Sequence, residues 1–194
     1  MLNITDLHFS YGKKEVLQNL NLSLQSGEIL AVMGPSGCGK STLLQLIAGA
    51  LKPNGGAIQC TAKRISYAFQ EPRLFPWLTV KENLAAVLNE KEDKEQKEEK
   101  ILWALRTVEL QDCTELYPDE LSGGMKSRVS LARALVYNGD LLLLDEPFSA
   151  LDEALRLRLC DALKEQIKSR GASAILVTHN TEDAERMADH ILEL

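Results

Sequence analysis

Gly34-Pro35-Ser36-Gly37-Cys38-Gly39-Lys40-Ser41 is the stretch on which the fold turns. It fits the pattern GxxxxGK[ST] and lies where that pattern has physical meaning. Before it runs the short apolar segment Glu28-Ile29-Leu30-Ala31-Val32-Met33, which reads as a buried strand. After it, residues 41–50 carry apolar side chains spaced for one buried face of a helix. The glycines let backbone N–H groups curl around an anion with no Cβ in the way, and the helix that follows directs its positive end to the same point. Lys40 is placed to reach the β- and γ-phosphates of a nucleotide, and the Ser41 hydroxyl to bind Mg²⁺. Strand, loop, lysine and helix in this order predict a nucleotide site.

Further strands and helices extend on both sides. Residues 4–11 and 17–24 alternate roughly with period two, with turn signals at Gly12 and Ser26-Gly27. Pro53-Asn54-Gly55-Gly56 breaks the chain, and residues 65–69 read as another strand. From about 79 to 110 the pattern is helical. At its centre, residues 90–100 are nearly all charged and read as a solvated helix or helix connection, with Glu90/Lys94 and Asp93/Lys97 spaced for i,i+4 pairing. The last third alternates again: strand 140–145, helix 153–168, strand 174–178, helix 181–188. Strands alternating with helices imply a mainly parallel sheet covered on both faces. No internal repeat is present.

Composition bounds the function. The 194 residues are 45% hydrophobic and 26% charged, which suits one globular domain carrying at most a small inserted lobe. A net charge of −6 argues against nucleic acid as partner, because phosphate neutralisation needs a basic face. No apolar run approaches the roughly 18 residues that span a bilayer, and the start lacks the basic and apolar regions of a signal peptide. A cytoplasmic protein, held at a membrane only through a partner, is expected. Cys38, Cys60, Cys113 and Cys160 are far apart, have no metal-ligand spacing, and read as reduced thiols.

Asp145 closes the run Leu141-Leu142-Leu143-Leu144 at a strand end, where a Mg²⁺-holding aspartate belongs, and Glu146 beside it is placed to orient or deprotonate an attacking water. These two motifs fix the ligand and leave the function open, since many unrelated enzymes share them.

Leu121-Ser122-Gly123-Gly124-Met125, with the helix behind it carrying Arg128, Ser130, Leu131, Ala132 and Arg133, resembles the signature of the ABC (ATP-binding cassette) ATPases. Other elements of that family follow in its order. Tyr11 stands where an aromatic stacks on adenine, and Gln70 ends a strand like the Q-loop glutamine. Ser149-Ala150-Leu151-Asp152 matches the D-loop, and His179 after Ile175-Leu176-Val177-Thr178 matches the switch histidine. The resemblance runs from about Leu2 to the C-terminus. It implies an α/β P-loop NTPase with a mainly parallel core sheet, an N-terminal antiparallel β subdomain and a helical subdomain. The division implied is a core of about 1–75 and 140–194 and a helical lobe of about 76–139. ATP and Mg²⁺ are then the ligands. Gly34, Ser36, Gly37, Cys38, Gly39, Lys40, Ser41 and Thr42 cradle the phosphates, while Ser41, Gln70 and Asp145 hold the metal. Glu146, His179, Gln70 and Lys40 serve hydrolysis. Ser122, Gly123, Gly124 and Asp152 complete the site of a second subunit in a head-to-tail dimer. Independently, Ser122 before an apolar helix, with two glycines leaving N–H groups accessible, reads as a second anion site.

Gln70-Glu71-Pro72-Arg73-Leu74-Phe75-Pro76-Trp77-Leu78-Thr79-Val80 looks like the stretch after the Q-loop in importer ATPases of the nitrate, sulfonate and taurine group, and Leu116-Tyr117-Pro118-Asp119-Glu120 is also importer-like. In that family this region lies near the groove where a permease's cytoplasmic helix docks. Leu74, Phe75 and Trp77 either anchor such a helix or pack inside the helical lobe. The partners implied are a second copy or a related ATPase subunit, transmembrane permease subunits and, indirectly, a solute-binding protein. Met125 and Ser127 depart from the superfamily's usual glutamines, and relatives usually continue beyond the tail Ile191-Leu192-Glu193-Leu194, so a minimal subunit is expected. The alternatives are a soluble ABC ATPase not coupled to transport, a non-hydrolysing regulatory subunit, and a domain that binds ATP but pairs poorly.

Overall fold

The computed structural model describes all 194 residues. Two sheets and six α-helices follow one another along the chain. β1 (Leu2–Tyr11), β2 (Lys14–Leu24) and β4 (Gly55–Cys60) form an antiparallel sheet in the order β2-β1-β4. β5 (Ile65–Ala68), β6 (Leu141–Asp145), β7 (Ser173–Val177), β3 (Ile29–Met33) and β8 (His190–Glu193) form a second sheet in that order, parallel throughout. β6 and β7 are buried at every residue, as expected of continuous apolar runs covered on both faces. The helices are α1 (Lys40–Ile47), α2 (Val80–Ala85), α3 (Lys94–Thr107), α4 (Gly123–Tyr137), α5 (Glu153–Ser169) and α6 (Thr181–Met187).

One hydrophobic core lies between α1, the antiparallel sheet and one face of the parallel sheet, and contains Leu7, Phe9, Leu43, Leu44, Leu143 and Ile175. On the other face α2 to α5 gather around Leu105, Leu131, Leu135, Leu142 and Leu163. The sheet is therefore covered on both sides, and its C-terminal edge is the open rim where loops can converge.

Two local readings of the sequence are corrected. Gly55-Gly56 does not end the ordered chain; it opens β4, which pairs with β1 through Leu2↔Cys60 and Ile4↔Ile58. Glycine is needed at 56 because β1 bulges between Thr5 and His8. Gly56 has φ +80°, and a Cβ there would lie 2.2 Å from the Asp6 carbonyl oxygen. The i,i+4 pairs Glu90/Lys94 and Asp93/Lys97 are also absent. α3 begins at Lys94, so Glu90 lies outside it, and the Asp93 carboxylate caps the helix by accepting from Glu95 N at 3.1 Å. The pairs formed are Lys81–Glu98 and Lys100–Glu92, both 2.6 Å. They lie near the surface, where such pairs contribute under about 1 kcal/mol. The charged run is otherwise solvated, as expected, and all four cysteines are free.

Asn83 shapes the turn that leads into α2. Its side chain is fully buried. Oδ1 accepts from Phe75 N at 2.8 Å, while Nδ2 donates to the carbonyls of Phe75, Leu78 and Thr79 at 2.9–3.1 Å. Alanine at this position strands those buried groups and is expected to cost about 2–3 kcal/mol of stability, read as a lowered urea midpoint at unchanged slope.

Candidate functional site

Four parallel strands deliver the site residues to one rim. β3 runs into the glycine loop, β6 ends on Asp145, β7 is followed by Thr178 and His179, and β5 leads to Gln70. They frame a cavity of about 360 Å³. Ser36, Gly37, Gly39, Lys40, Ser41 and Thr42 form its floor. Gln70, Asp145, Glu146 and His179 form one wall, and Tyr11 with Lys14 and Val16 the other.

The loop owes its shape to glycine. Gly37 (φ +81°) and Gly39 (φ +111°) are left-handed, and a Cβ on Gly39 would lie 2.8 Å from a methyl of Val16. Gly39 is also the N-cap of α1, and no side chain caps that helix, so its first N–H groups point at the cavity floor. Lys40 is buried and its Nζ donates to the carbonyls of Gly34 and Pro35 at 2.7 and 2.9 Å, which holds the ammonium against the loop. Cys38 and Gly34 belong to the loop but do not line the cavity.

Ser41 Oγ donates to Asp145 Oδ1 at 3.0 Å, and the Tyr67 hydroxyl approaches Asp145 Oδ2 at 3.4 Å. Burial pushes the Asp145 carboxyl above the usual carboxylate range and the neighbouring Glu146 adds to this, while the bonds from Ser41 and Tyr67 and the charge of Lys40 oppose it. Burial and the charge of Asp145 push the Tyr67 phenol upward too, so it stays a donor. A hydroxyl and a carboxylate 3.0 Å apart, beside an anion cradle and with Gln70 on the same wall, suit Mg²⁺. That ion takes oxygen ligands and is commonly held by one or two protein groups with phosphate oxygens and water completing its shell. No cluster of three His, Cys, Asp or Glu side chains exists to favour a dedicated protein cage for another metal.

Glu146 is largely buried, and its Oε2 lies 2.8 Å from Nδ1 of the exposed His179. Its backbone is strained at φ +49°, held there by Glu146 N donating to Val177 O at 2.9 Å. Tyr11 is half exposed with its ring edge-on to Phe9 at 4.9 Å, leaving an aromatic face at the mouth of the cavity.

Ser122, Gly123, Gly124 and Asp152 do not line this cavity. Ser122 is the N-cap of α4, accepting from Met125 N at 3.2 Å, and Asp152 caps α5 by accepting from Leu155 N at 3.0 Å. The two turns touch: a Cβ on Gly124 would lie 2.7 Å from Ala150 O. Met125 packs against the core, and Ser127 Oγ donates to Gly123 O at 3.2 Å. Of the three apolar residues after Gln70, Leu74 packs against the core, while Phe75 and Trp77 face out, Trp77 at 70% exposure. Ser149 of the D-loop match also lines the cavity; the sequence reading missed Lys14 and Val16 on its wall, and Tyr67 beneath it. Only Tyr67 leaves a usable signal, an aromatic two residues before Phe69, on whose ring it stacks.

A glycine cradle on a helix start, with a hydroxyl–carboxylate pair and a buried glutamate around one cavity, defines a P-loop nucleotide hydrolase. A profile of the family described as ABC transporter matches residues 17–149. The chain is 43% identical over 192 residues to the aliphatic sulfonates import ATP-binding protein of Corynebacterium glutamicum, covering 98% of this chain and 79% of that protein. It is also 43% identical to the taurine import ATP-binding protein of Escherichia coli O157:H7, covering 100% of this chain and 79% of that one. Among solved structures it resembles the dimeric ATP-binding cassette MJ0796 in a post-hydrolysis state bound to ADP and Pi. There the TM-score is 0.90 at 29% identity, covering 100% of this chain and 94% of that chain. The chain belongs to the ABC transporter family and is an ATP-binding, ATP-hydrolysing cassette of it.

Proposed function

We propose that the chain is the ATPase subunit of an importer for small solutes of the sulfonate, taurine or nitrate kind, working at the cytoplasmic face of the membrane as a head-to-tail dimer. The observation that carries this is the convergence of Lys40, Ser41, Gln70, Asp145, Glu146 and His179 on one cavity in a chain whose relatives are named as import ATP-binding proteins. A complete hydrolytic set counts against a non-hydrolysing regulatory subunit.

In this reading Tyr11 stacks on the adenine, and the N–H groups of residues 36–42 together with Lys40 bind the phosphates. Ser41, Gln70 and Asp145 would hold Mg²⁺, which when bound would supply charge neutralisation to the phosphates. Glu146 accepts a proton from the attacking water, and His179, bonded to it, fixes its orientation. Ser122, Gly123, Gly124 and Asp152 act on the partner's nucleotide. The close approach of Gly124 to Ala150 supports this reading, since it keeps the two turns side by side. Residues 1–75 and 140–194 serve as the nucleotide-holding core and 76–139 as the lobe that presents the signature. ATP binding then closes the dimer, and loss of the bridging phosphate opens it.

No helix of the chain is long and apolar enough to cross a membrane, so coupling to transport needs a permease. Phe75 and Trp77, exposed at a turn pinned by Asn83 and by Arg133, offer apolar anchors for a permease helix. Trp77→Ala is expected to leave the ATPase rate of the isolated chain within about twofold, and to weaken association with the permease by roughly 10-fold or more. Co-purification and permease-stimulated ATPase measure this. Unchanged stimulation favours the soluble, uncoupled ABC ATPase.

A further inference from the structure

We infer that Tyr67 is a positioning residue for Asp145, and that the packing of an apolar groove on the far side of its ring sets how it holds that carboxylate. The hydroxyl faces the nucleotide rim, donating to Asp145 Oδ2 at 3.4 Å while Ser41 takes Oδ1 at 3.0 Å. Each carboxylate oxygen thus has its own donor, which fixes the plane of the group. The ring belongs to a different surface. It is part of the wall of a groove of about 340 Å³, shared with Ile65, Phe69, Phe75, Val87 and Tyr137.

Within that wall the ring is held by a continuous stack. Tyr67 lies flat on Phe69, with centroids 4.0 Å apart and planes at 12°. The Arg73 guanidinium covers Phe69 at 4.6 Å. Arg73 has a left-handed backbone (φ +45°) held by Arg133 of α4, whose guanidinium donates to the carbonyls of Pro72 and Arg73 at 2.9 and 3.0 Å. Phe75 lines the same groove and packs against Trp77, their ring centroids 5.7 Å apart. A single side chain therefore touches both the metal carboxylate and the groove beside those exposed aromatics. An apolar occupant that shifts the stack by a few tenths of an ångström acts directly on a bond already at the long limit of hydrogen bonding. This inference rests on the reading of the chain as an Mg²⁺-dependent ATPase whose groove receives an apolar helix of the permease.

The test uses the full chain and a fluorescent ATP analogue, titrated in excess EDTA and at graded Mg²⁺. Tyr67→Phe removes only the hydroxyl and keeps the stack. Its affinity in EDTA should stay within about twofold of the unsubstituted protein, while the Mg²⁺ concentration for half-maximal enhancement of binding should rise about fivefold, the scale of one lost hydrogen bond. Tyr137→Trp, which adds bulk to the groove away from Asp145, should shift the Mg²⁺ requirement in the parent and leave it unshifted in Tyr67→Phe. An unchanged Mg²⁺ requirement in Tyr67→Phe, or an equal loss in EDTA, overturns the positioning role. Equal shifts by Tyr137→Trp in both backgrounds, or a shift in neither, overturn the link to the groove. A parent protein that binds no nucleotide sinks the functional reading itself, and is seen before any variant is compared.

Discussion

Glu146→Gln should keep ATP bound and lower turnover by about two orders of magnitude or more. The substitution preserves size and leaves an oxygen or amide facing His179 Nδ1, now 2.8 Å from Glu146 Oε2. It also tolerates the left-handed backbone at φ +49° as well or as poorly as glutamate does. What disappears is the capacity to accept a proton from water. The phosphate cradle is untouched, so affinity for ATP should hold and only the chemical step should slow. With hydrolysis blocked, the ATP-bound state accumulates, and light scattering should show the monomer becoming a dimer on adding ATP and reverting with ADP. Phosphate release and light scattering on the same preparation check both halves. Normal turnover would remove Glu146 from the base role. ATP binding without dimerisation would mean that pairing of this chain needs the membrane partner.

Lys40→Ala is expected to act on binding itself, weakening ATP affinity by roughly 100-fold. Lys40 is the cation built into the floor of the cavity, buried and tied to the carbonyls of Gly34 and Pro35. The facing wall carries Asp145 and Glu146, and the only other lysine on the lining is Lys14, on the opposite wall. Without Lys40 two carboxylates face the incoming phosphates, and the loop loses the tether that curls it toward α1. Equilibrium binding of a fluorescent nucleotide measures the loss, with the thermal midpoint confirming that the variant folds. An unchanged affinity would mean that the loop's N–H groups and the dipole of α1 carry phosphate binding alone.

Much of this was legible because the deciding signals are local. Ile29–Met33, the glycines and α1 follow one another without a gap, and each is recognisable from spacing over a few residues. The same holds for Ser122 before α4, whose helix it caps; Asp152, singled out only by the D-loop resemblance, caps α5. Where local signals compete, sequence reading went astray. Gly55-Gly56 looks like a break because glycine is common in turns, yet the bulge in β1 is what requires it there. The spacing of Asp93 and Lys97 suits an ion pair, but the Asp93 carboxylate is used instead as the cap that starts the helix. Propensity and spacing cannot rank such uses; the packed neighbours do.

The sequence by itself determined that the chain holds a nucleotide, through which loop, and which residues follow each strand. Periodicity, turn chemistry and helix starts are written within a few residues of one another. The family resemblance already implied that Gln70, Asp145, Glu146 and His179 share one site and that Ser122 and Asp152 serve another; only the tertiary structure gave that site its geometry and decided that Leu74 turns inward while Trp77 turns out. It alone decided that Tyr67 spans from the Asp145 carboxylate to the groove. These facts depend on the strand order β5-β6-β7-β3-β8 and on which face of each loop meets solvent. The distances in contacts between residues a hundred or more positions apart, such as Ser41 with Asp145, are fixed by how the sheet assembles and are not written in the local spacing of the chain.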